Sequence, residues 1–184
     1  GSGKTRILHE LNSLGAQVLD LEGLANHRGS VLGNEPLIDQ PTQKAFETRL
    51  WHALNQLDSS RPVFVESESK KVGGLHVPDE LMERIRHGQC IELRATMQTR
   101  VAWLLHEYQH FLIDTVSFKE KLALLTSRYG KLQIAQWQEA IDQKEFPALV
   151  EELLVMHYDP AYQSSIERNF PQYSTEQFVT LEEE

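Results

Sequence analysis

The sequence is poor in cysteine and in basic residues, and it has no long apolar run. Its single cysteine, Cys90, excludes an internal disulfide framework and suits a reducing, cytoplasmic environment. No apolar stretch approaches the roughly 20 residues of a membrane-spanning helix, so we expect no membrane partner. Lysine and arginine number 18 against 27 aspartates and glutamates, and the net charge of −9 argues against a nonspecific nucleic-acid binder. The charge leaves room for a local basic patch.

The most informative stretch is the first one, which matches the second half of a phosphate-binding loop, G-x-x-x-x-G-K-[ST]. Backbone N–H groups of such a loop surround a di- or triphosphate, the lysine reaches the outer phosphates, and the threonine hydroxyl binds Mg²⁺. The predicted phosphate-binding residues are Gly1, Ser2, Gly3, Lys4 and Thr5, and Thr5 is also a predicted metal ligand. The pattern that follows predicts a helix that ends near Gly15, with one apolar face made by Ile7, Leu8, Leu11 and Leu14.

The beginning of this motif would lie upstream of Gly1. Both its first glycine and the apolar strand that normally feeds the loop are missing from the sequence. We therefore expect the chain to be the downstream part of a larger protein, cut inside its own motif. The alternative is a chance Gly-Ser-Gly linker, and the capped amphipathic helix directly after it argues against that.

Residues 1–115 predict an α/β domain of the P-loop NTPase type, with a mostly parallel sheet flanked by helices. Segments 16–21 and 63–65 are predicted strands, and Thr42 is the predicted N-cap of a helix between them. A long polar loop is expected over residues 22–33, where α/β proteins place ligand groups. Glu66 ends the second strand and fits the acidic position that helps to hold Mg²⁺.

The end of this domain predicts a helix over residues 78–87, a buried strand over 89–94 and a longer helix from Met97 through residue 112. Cys90 falls in the strand and is expected to pack as a small hydrophobe, since no thiolate-stabilising group lies beside it. Arg94 and Arg100 flank the start of the last helix and are candidates for phosphate contacts.

Residues 116–184 predict an all-helical C-terminal extension. Ser117 and Glu120 form a capping-box pattern at the start of its first helix, and Gly130 ends that helix. Two further apolar stripes predict two more helices, the last of which stops before Asp159–Pro160. The remainder of the chain is weakly patterned.

Several strings of this sequence resemble the C-terminal half of the bacterial tRNA 2-selenouridine synthase family. They are GSGKT (1–5), DLEGLANHRGS (20–30), QPTQK (40–44), VESES (65–69) and HYDPAY (157–162). The resemblance covers nearly the whole chain, and the second string is far more specific than a phosphate loop alone. It implies further ligand or substrate-binding candidates, which together with the two arginines above are Asp20, Glu22, His27, Arg28, Gln43, Glu68, Arg94 and Arg100.

The resemblance also implies a function. Family members join a rhodanese-like domain, which holds the catalytic cysteine, to a phosphate-loop domain; no catalytic residue is therefore assigned within this chain. The family resemblance implies tRNA with 2-thiouridine at the wobble position, geranyl diphosphate, Mg²⁺ and selenophosphate, the last acting through the missing domain. The sulfur is first geranylated, and selenium then displaces the S-geranyl group. The fragment alone is expected to be inactive.

Two other functions remain open from the residues themselves. A small-molecule kinase would use the same loop on ATP, and it should transfer a phosphoryl group where the first function releases pyrophosphate. A noncatalytic tRNA-docking module would bind the RNA backbone through a local cluster such as Arg128, Lys131 and Lys144, and it would tolerate the loss of Lys4.

Overall fold

The computed structural model describes residues 3–30, 32–33, 38–67, 69–174 and 177–181, which form two compact units. We call residues 3–93 with 165–179 the α/β unit and residues 94–164 with 180–181 the helical unit. The predicted domain boundary after residue 115 stays a prediction. Within the described ranges no helix is long and apolar enough to cross a membrane.

The first half of the chain alternates helices with short strands. In order, its elements are α1 (Lys4–Ser13), β1 (Gln17–Leu19), α2 (Leu21–Ala25), α3 (Gln43–Asn55), β2 (Val63–Val65), β3 (Lys71–Val72), β4 (Leu75–His76), α4 (Asp79–Arg86) and β5 (Glu92–Arg94). Strands β1 and β2 pair in parallel, with Gln17 opposite Val63 and Leu19 opposite Val65. Strands β3 and β4 form an antiparallel hairpin.

One apolar core joins β1, the β3–β4 hairpin and the helices α2, α3 and α4. It consists of the buried side chains Leu19, Leu21, Ala25, Phe46, Leu50, Val72, Leu75, Val77 and Met82. Phe46 and Leu50 come from the predicted stripe of α3, whose N-cap Thr42 accepts the Ala45 N–H as expected. Each fully buried side chain of this size contributes about 1.5–3 kcal/mol relative to an exposed one. The core therefore fixes α2 and the β3–β4 hairpin against α3.

The second half of the chain is mainly helical. Its elements are α5 (Met97–Glu107), α6 (Gln109–Ile113), α7 (Thr115–Ala123), α8 (Thr126–Asp142), α9 (Phe146–Leu153), a π-helical turn (Leu154–Tyr158), α10 (Asp159–Asn169) and β6 (Phe178–Thr180). Strand β6 pairs with β5. Helix α7 packs against α8, and α9 packs against α5 and α8. The buried side chains of α7 and α8 include Phe118, Leu122 and Trp137.

The α/β class is confirmed in coarse form, as a mostly helical chain with small sheets that include one parallel pair. The expected feeding strand before α1 stays a prediction. The extension is not all-helical, because β6 lies within it. Strand β2 is not buried on both faces either, since Val63 is 38% exposed, and Leu14 lies largely in solvent beyond the end of α1.

Four local predictions were wrong for identifiable reasons. The expected polar loop after β1 begins with α2, because Asp20 caps this short helix by accepting the Gly23 N–H. Cys90 precedes the short strand β5, and it is half-buried. Asp114 caps α7 by accepting the Ser117 N–H, so the helix begins before the predicted capping box. The single helix expected from Met97 to residue 112 is divided into α5 and α6.

The chain also continues through the expected stop at Asp159–Pro160. The π-helical turn leads directly into α10, and Pro160, which has no N–H to donate, is the second residue of that helix. The helix expected to run from Ser117 to Gly130 ends at Ala123 instead. Gly130 lies inside α8, which it interrupts with a φ of 79° and a ψ of 164°, values that are almost exclusive to glycine.

Candidate functional site

The phosphate-loop segment leads directly into α1. Gly3 is the residue before the helix and has a left-handed φ of 73°, a conformation that glycine adopts without steric cost. Its carbonyl accepts the Ile7 N–H at 3.1 Å and starts the helical ladder. Lys4 and Thr5 are half-buried in the first turn, where the helix dipole favours anions. Gly1 and Ser2 lie outside the described residues.

Thr5 is linked to two carboxylates of the α/β unit. Its hydroxyl donates to Glu22 Oε2 at 2.9 Å. The backbone N–H of Glu22 in turn donates to Glu66 Oε1 at 2.8 Å. Because Glu22 lies in α2 and Glu66 directly follows β2, these contacts join the start of α1 to the ends of both parallel strands. The predicted candidates Thr5, Glu22 and Glu66 are therefore brought together.

The carboxyl group of Glu66 is buried, and only one of its two oxygens has a hydrogen-bond partner. It is only 3% exposed, and its second oxygen, Oε2, is buried without a hydrogen-bond partner. Burial raises the pKa of Glu66 from 4.5 to about 7, and the negative charges of Asp20 and Glu22 add to the rise. The Glu22 N–H acts in the opposite direction. An orphaned buried oxygen calls for a proton, a water molecule or a cation.

Asp20 fixes the backbone in the corner formed by Thr5, Glu22 and Glu66. One of its oxygens accepts the Gly23 N–H at 2.7 Å and caps α2, while the other lies 3.2 Å from His9 Nε2 on α1. Asp20 thereby holds the backbone that presents Glu22. His9 was not singled out from the sequence, and only its position one turn after Thr5 could have indicated it.

The two glutamines of the QPTQK string hold the β3–β4 hairpin, and His27 closes a local turn. His27 is buried, and its Nδ1 accepts the Gly29 N–H at 3.0 Å, so this nitrogen carries no proton. Gln43 bonds both the N–H and the carbonyl of His76. Gln40 accepts the Gly74 N–H and donates to the carbonyls of Ala25 and Val72. These contacts account structurally for Gln43 and His27, and their ligand roles stay predictions.

The remaining ligand candidates are Arg28, Glu68, Arg94 and Arg100. The Arg28 N–H donates to Gly33 and closes a tight loop, whereas Glu68 lies outside the described residues. Arg94 ends β5. In the helical unit, Arg100 forms a two-pronged ion pair with Asp159 of the HYDPAY string, with distances of 2.9 and 2.5 Å.

A second polar cluster lies at the π-helical turn of the helical unit. The Tyr129 hydroxyl donates to the Met156 carbonyl at 2.9 Å and lies 3.0 Å from Nδ1 of the buried His157. Burial lowers the pKa of His157, and the positive charge of Arg128 lowers it further. Sequence patterns alone did not reveal this cluster; only the HYDPAY string pointed to the region. The tRNA-docking candidates Arg128, Lys131 and Lys144 are all exposed.

The oxygens around Thr5 fit a magnesium ion. Mg²⁺ prefers hard oxygen ligands, and it is usually held by one or two carboxylates together with phosphate oxygens and water. The Thr5 hydroxyl and the Glu22 carboxylate are oxygens of this kind, 2.9 Å apart, and the unpartnered Glu66 Oε2 belongs to the residue that accepts the Glu22 N–H. Across the described part of the chain, no group of three or more His, Cys, Asp or Glu side chains forms a metal site. Phosphate and water would therefore complete the shell.

Comparison with known proteins identifies the family. The family model of the tRNA 2-selenouridine synthase AAA domain matches residues 1–126. A protein named tRNA 2-selenouridine synthase from Marinobacter nauticus is 31% identical over 88% of this chain and 50% of its own length. Another from Sulfurovum is 31% identical over 92% and 52%, and one from Nitrosomonas europaea is 38% identical over 59% and 28%. The chain spans at most about half the length of these curated relatives.

No solved structure gives a significant match. The family assignment therefore stands on sequence, and the local geometry agrees with it: the loop-to-helix turn at Gly3 and the Asp20–Ser30 string meet in one corner through Thr5 and Glu22. With its AAA-domain region matched from residue 1 to 126, this chain belongs to the tRNA 2-selenouridine synthase family.

Proposed function

We propose that this chain is the phosphate-binding half of a tRNA 2-selenouridine synthase, a cytoplasmic transferase that acts on 2-thiouridine at the wobble position of tRNA. The supporting observation is the link between Thr5 of the loop and Glu22 of the family-specific string, made by a 2.9 Å hydrogen bond. In this function the loop binds the diphosphate of geranyl diphosphate. Selenophosphate serves the later exchange step through the part of the enzyme that lies outside this chain.

The chemistry requires a diphosphate site without phosphoryl transfer. The thiouridine sulfur forms a bond to the first geranyl carbon, the carbon–oxygen bond to the diphosphate breaks, and pyrophosphate leaves with the electron pair. Lys4, the amides at the start of α1 and the helix dipole would stabilise the negative charge that develops on this leaving group. A magnesium ion, when bound, supplies further positive charge to the same oxygens. In the later exchange, selenium from selenophosphate bonds to the base carbon that carries the sulfur, and the sulfur leaves with its geranyl chain as geranylthiol.

Lys4 gives the direct test. In the complete protein, Lys4→Ala should weaken geranyl diphosphate binding more than tenfold, or about 1.4 kcal/mol, in isothermal titration calorimetry. Lys44→Ala is the matched control, because Lys44 is an exposed lysine on α3 of the same unit. Modified nucleosides from thiolated tRNA should be followed by mass spectrometry in parallel. Unchanged affinity in Lys4→Ala, or Lys4-dependent phosphoryl transfer from ATP, would contradict the proposal.

A further inference from the structure

The carboxylate that faces the phosphate-loop threonine is Glu22. Its Oε2 is the acceptor of the Thr5 hydroxyl, and its side chain is only half-buried, so it is open to an incoming ligand. Glu66, the residue that sequence position favours as the metal ligand, has no direct hydrogen bond to Thr5 among the described contacts. Glu66 contacts Glu22 instead: its Oε1 accepts the backbone N–H of Glu22 at 2.8 Å.

We propose that Glu22 supplies the protein carboxylate that binds magnesium at the diphosphate site, and that Glu66 is a positioning residue that holds Glu22 through its backbone. This inference rests on the proposed function. Two oxygens at adjacent corners of an octahedral magnesium shell, each about 2.0–2.1 Å from the ion, lie about 2.9 Å apart. Thr5 Oγ1 and Glu22 Oε2 are already 2.9 Å apart as hydrogen-bond partners, so the pair can accept the ion without rearrangement.

The burial and contacts of Glu66 suit it to the role of a positioning residue. It is 3% exposed and directly follows β2, so its carboxylate is fixed by the parallel sheet. One oxygen holds the first turn of α2, which Asp20 also fixes by capping. The other oxygen, Oε2, is buried and has no partner, and it takes no part in holding Glu22.

Two amide variants separate the roles in the complete protein. The probe is Mn²⁺ in the presence of pyrophosphate, with bound metal measured by electron paramagnetic resonance. Glu22→Gln should weaken Mn²⁺ binding at least tenfold, because it removes the charged ligand. Glu66→Gln keeps an amide oxygen for the Glu22 N–H and should weaken binding by less than about threefold. Glu10→Gln, at an exposed position on α1, is the control and should change nothing.

A third variant tests positioning itself. Glu66→Leu removes the acceptor as well as the charge, so it should lose Mn²⁺ affinity as Glu22→Gln does and should speed hydrogen exchange in α2. Melting temperatures without metal serve as the folding control, and if Glu66→Leu fails to fold, the two glutamine variants decide. Tenfold weaker binding in Glu66→Gln, or unchanged binding in Glu22→Gln, overturns the inference. If the unaltered protein binds no Mn²⁺ with pyrophosphate, the proposed function fails with it.

Discussion

Replacing Glu66 by glutamine should remove a pH dependence from the folding stability of the α/β unit. Burial raises the pKa of Glu66 from 4.5 to about 7 in the folded protein. Between these two pH values the folded state therefore binds more protons than the unfolded chain, and stability falls as the pH rises. Below pH 4.5 the carboxyl group is protonated in both states, and above pH 7 it is ionised in both.

The size of the effect follows from the two pKa values. Each pH unit between them corresponds to about 1.4 kcal/mol, so ionising Glu66 costs about 3 kcal/mol more in the folded protein than in the unfolded chain. Glutamine cannot ionise, and it keeps an oxygen for the Glu22 N–H. Glu66→Gln should therefore gain stability relative to the unaltered protein at pH 8, by up to about 3 kcal/mol, and show little difference at pH 4.5.

The measurement must report on this unit alone. The complete protein is equilibrated in urea at either pH with a metal chelator, and a brief deuterium pulse at one fixed pH then labels unfolded molecules. Peptides that cover β1 and β2 give the unfolded fraction of the α/β unit. The chelator is needed because a bound cation stabilises the ionised carboxylate. Equal pH dependence in both proteins would refute the reasoning, and it would show that Glu66 ionises freely in the fold.

Three further predictions concern the backbone and the thiol. Gly73→Ala should destabilise the α/β unit by about 2–4 kcal/mol in urea denaturation. The reason is that Gly73 has a φ of +59°, and a Cβ there would meet Gln40 Oε1 and lie 2.6 Å from His27 Cδ2. The control Gly74→Ala should change the free energy of unfolding by less than about 1 kcal/mol, and equal losses in the two variants would contradict the argument. Cys90 should react with iodoacetamide more slowly than free cysteine at pH 8, because burial raises the pKa of its thiol. Cys90→Ser should still support selenouridine formation, and loss of that product in a folded variant would assign Cys90 a chemical role.

The helices with strong apolar periodicity could be predicted from the sequence, whereas short elements could not. Phe46 and Leu50 lie on the predicted face of α3, whereas Gly130 interrupts α8 and does not end the helix before it. The hairpin β3–β4 has two residues in each strand, too few to produce a recognisable alternation. Helix α2 was missed for a similar reason: five residues give little more than one turn, and their stability comes from packing.

The candidate site shows a different limit of sequence reasoning. The loop motif predicts which residues bind phosphate, and the acidic end of β2 predicts a carboxylate nearby. The pattern cannot state which of two carboxylates faces Thr5, since this depends on how α2 is seated on the strand ends. The assignment of a direct role to Glu66 rests on strand position alone, and its use of one oxygen for the Glu22 backbone became visible only in three dimensions.

The same geometry explains why the Asp20–Ser30 string is more specific than the phosphate loop. The backbone of this polar segment is held mainly by contacts of its own side chains, so most of its positions require a particular residue. Asp20 caps α2, Glu22 faces Thr5, Asn26 adopts a left-handed φ of 51°, and His27 packs beside Gly73. Changing a capping or turn residue would therefore move Glu22 although the carboxylate itself is retained. Ligand affinity in this corner should respond to residues that never contact the ligand, because they determine where the Glu22 oxygen lies.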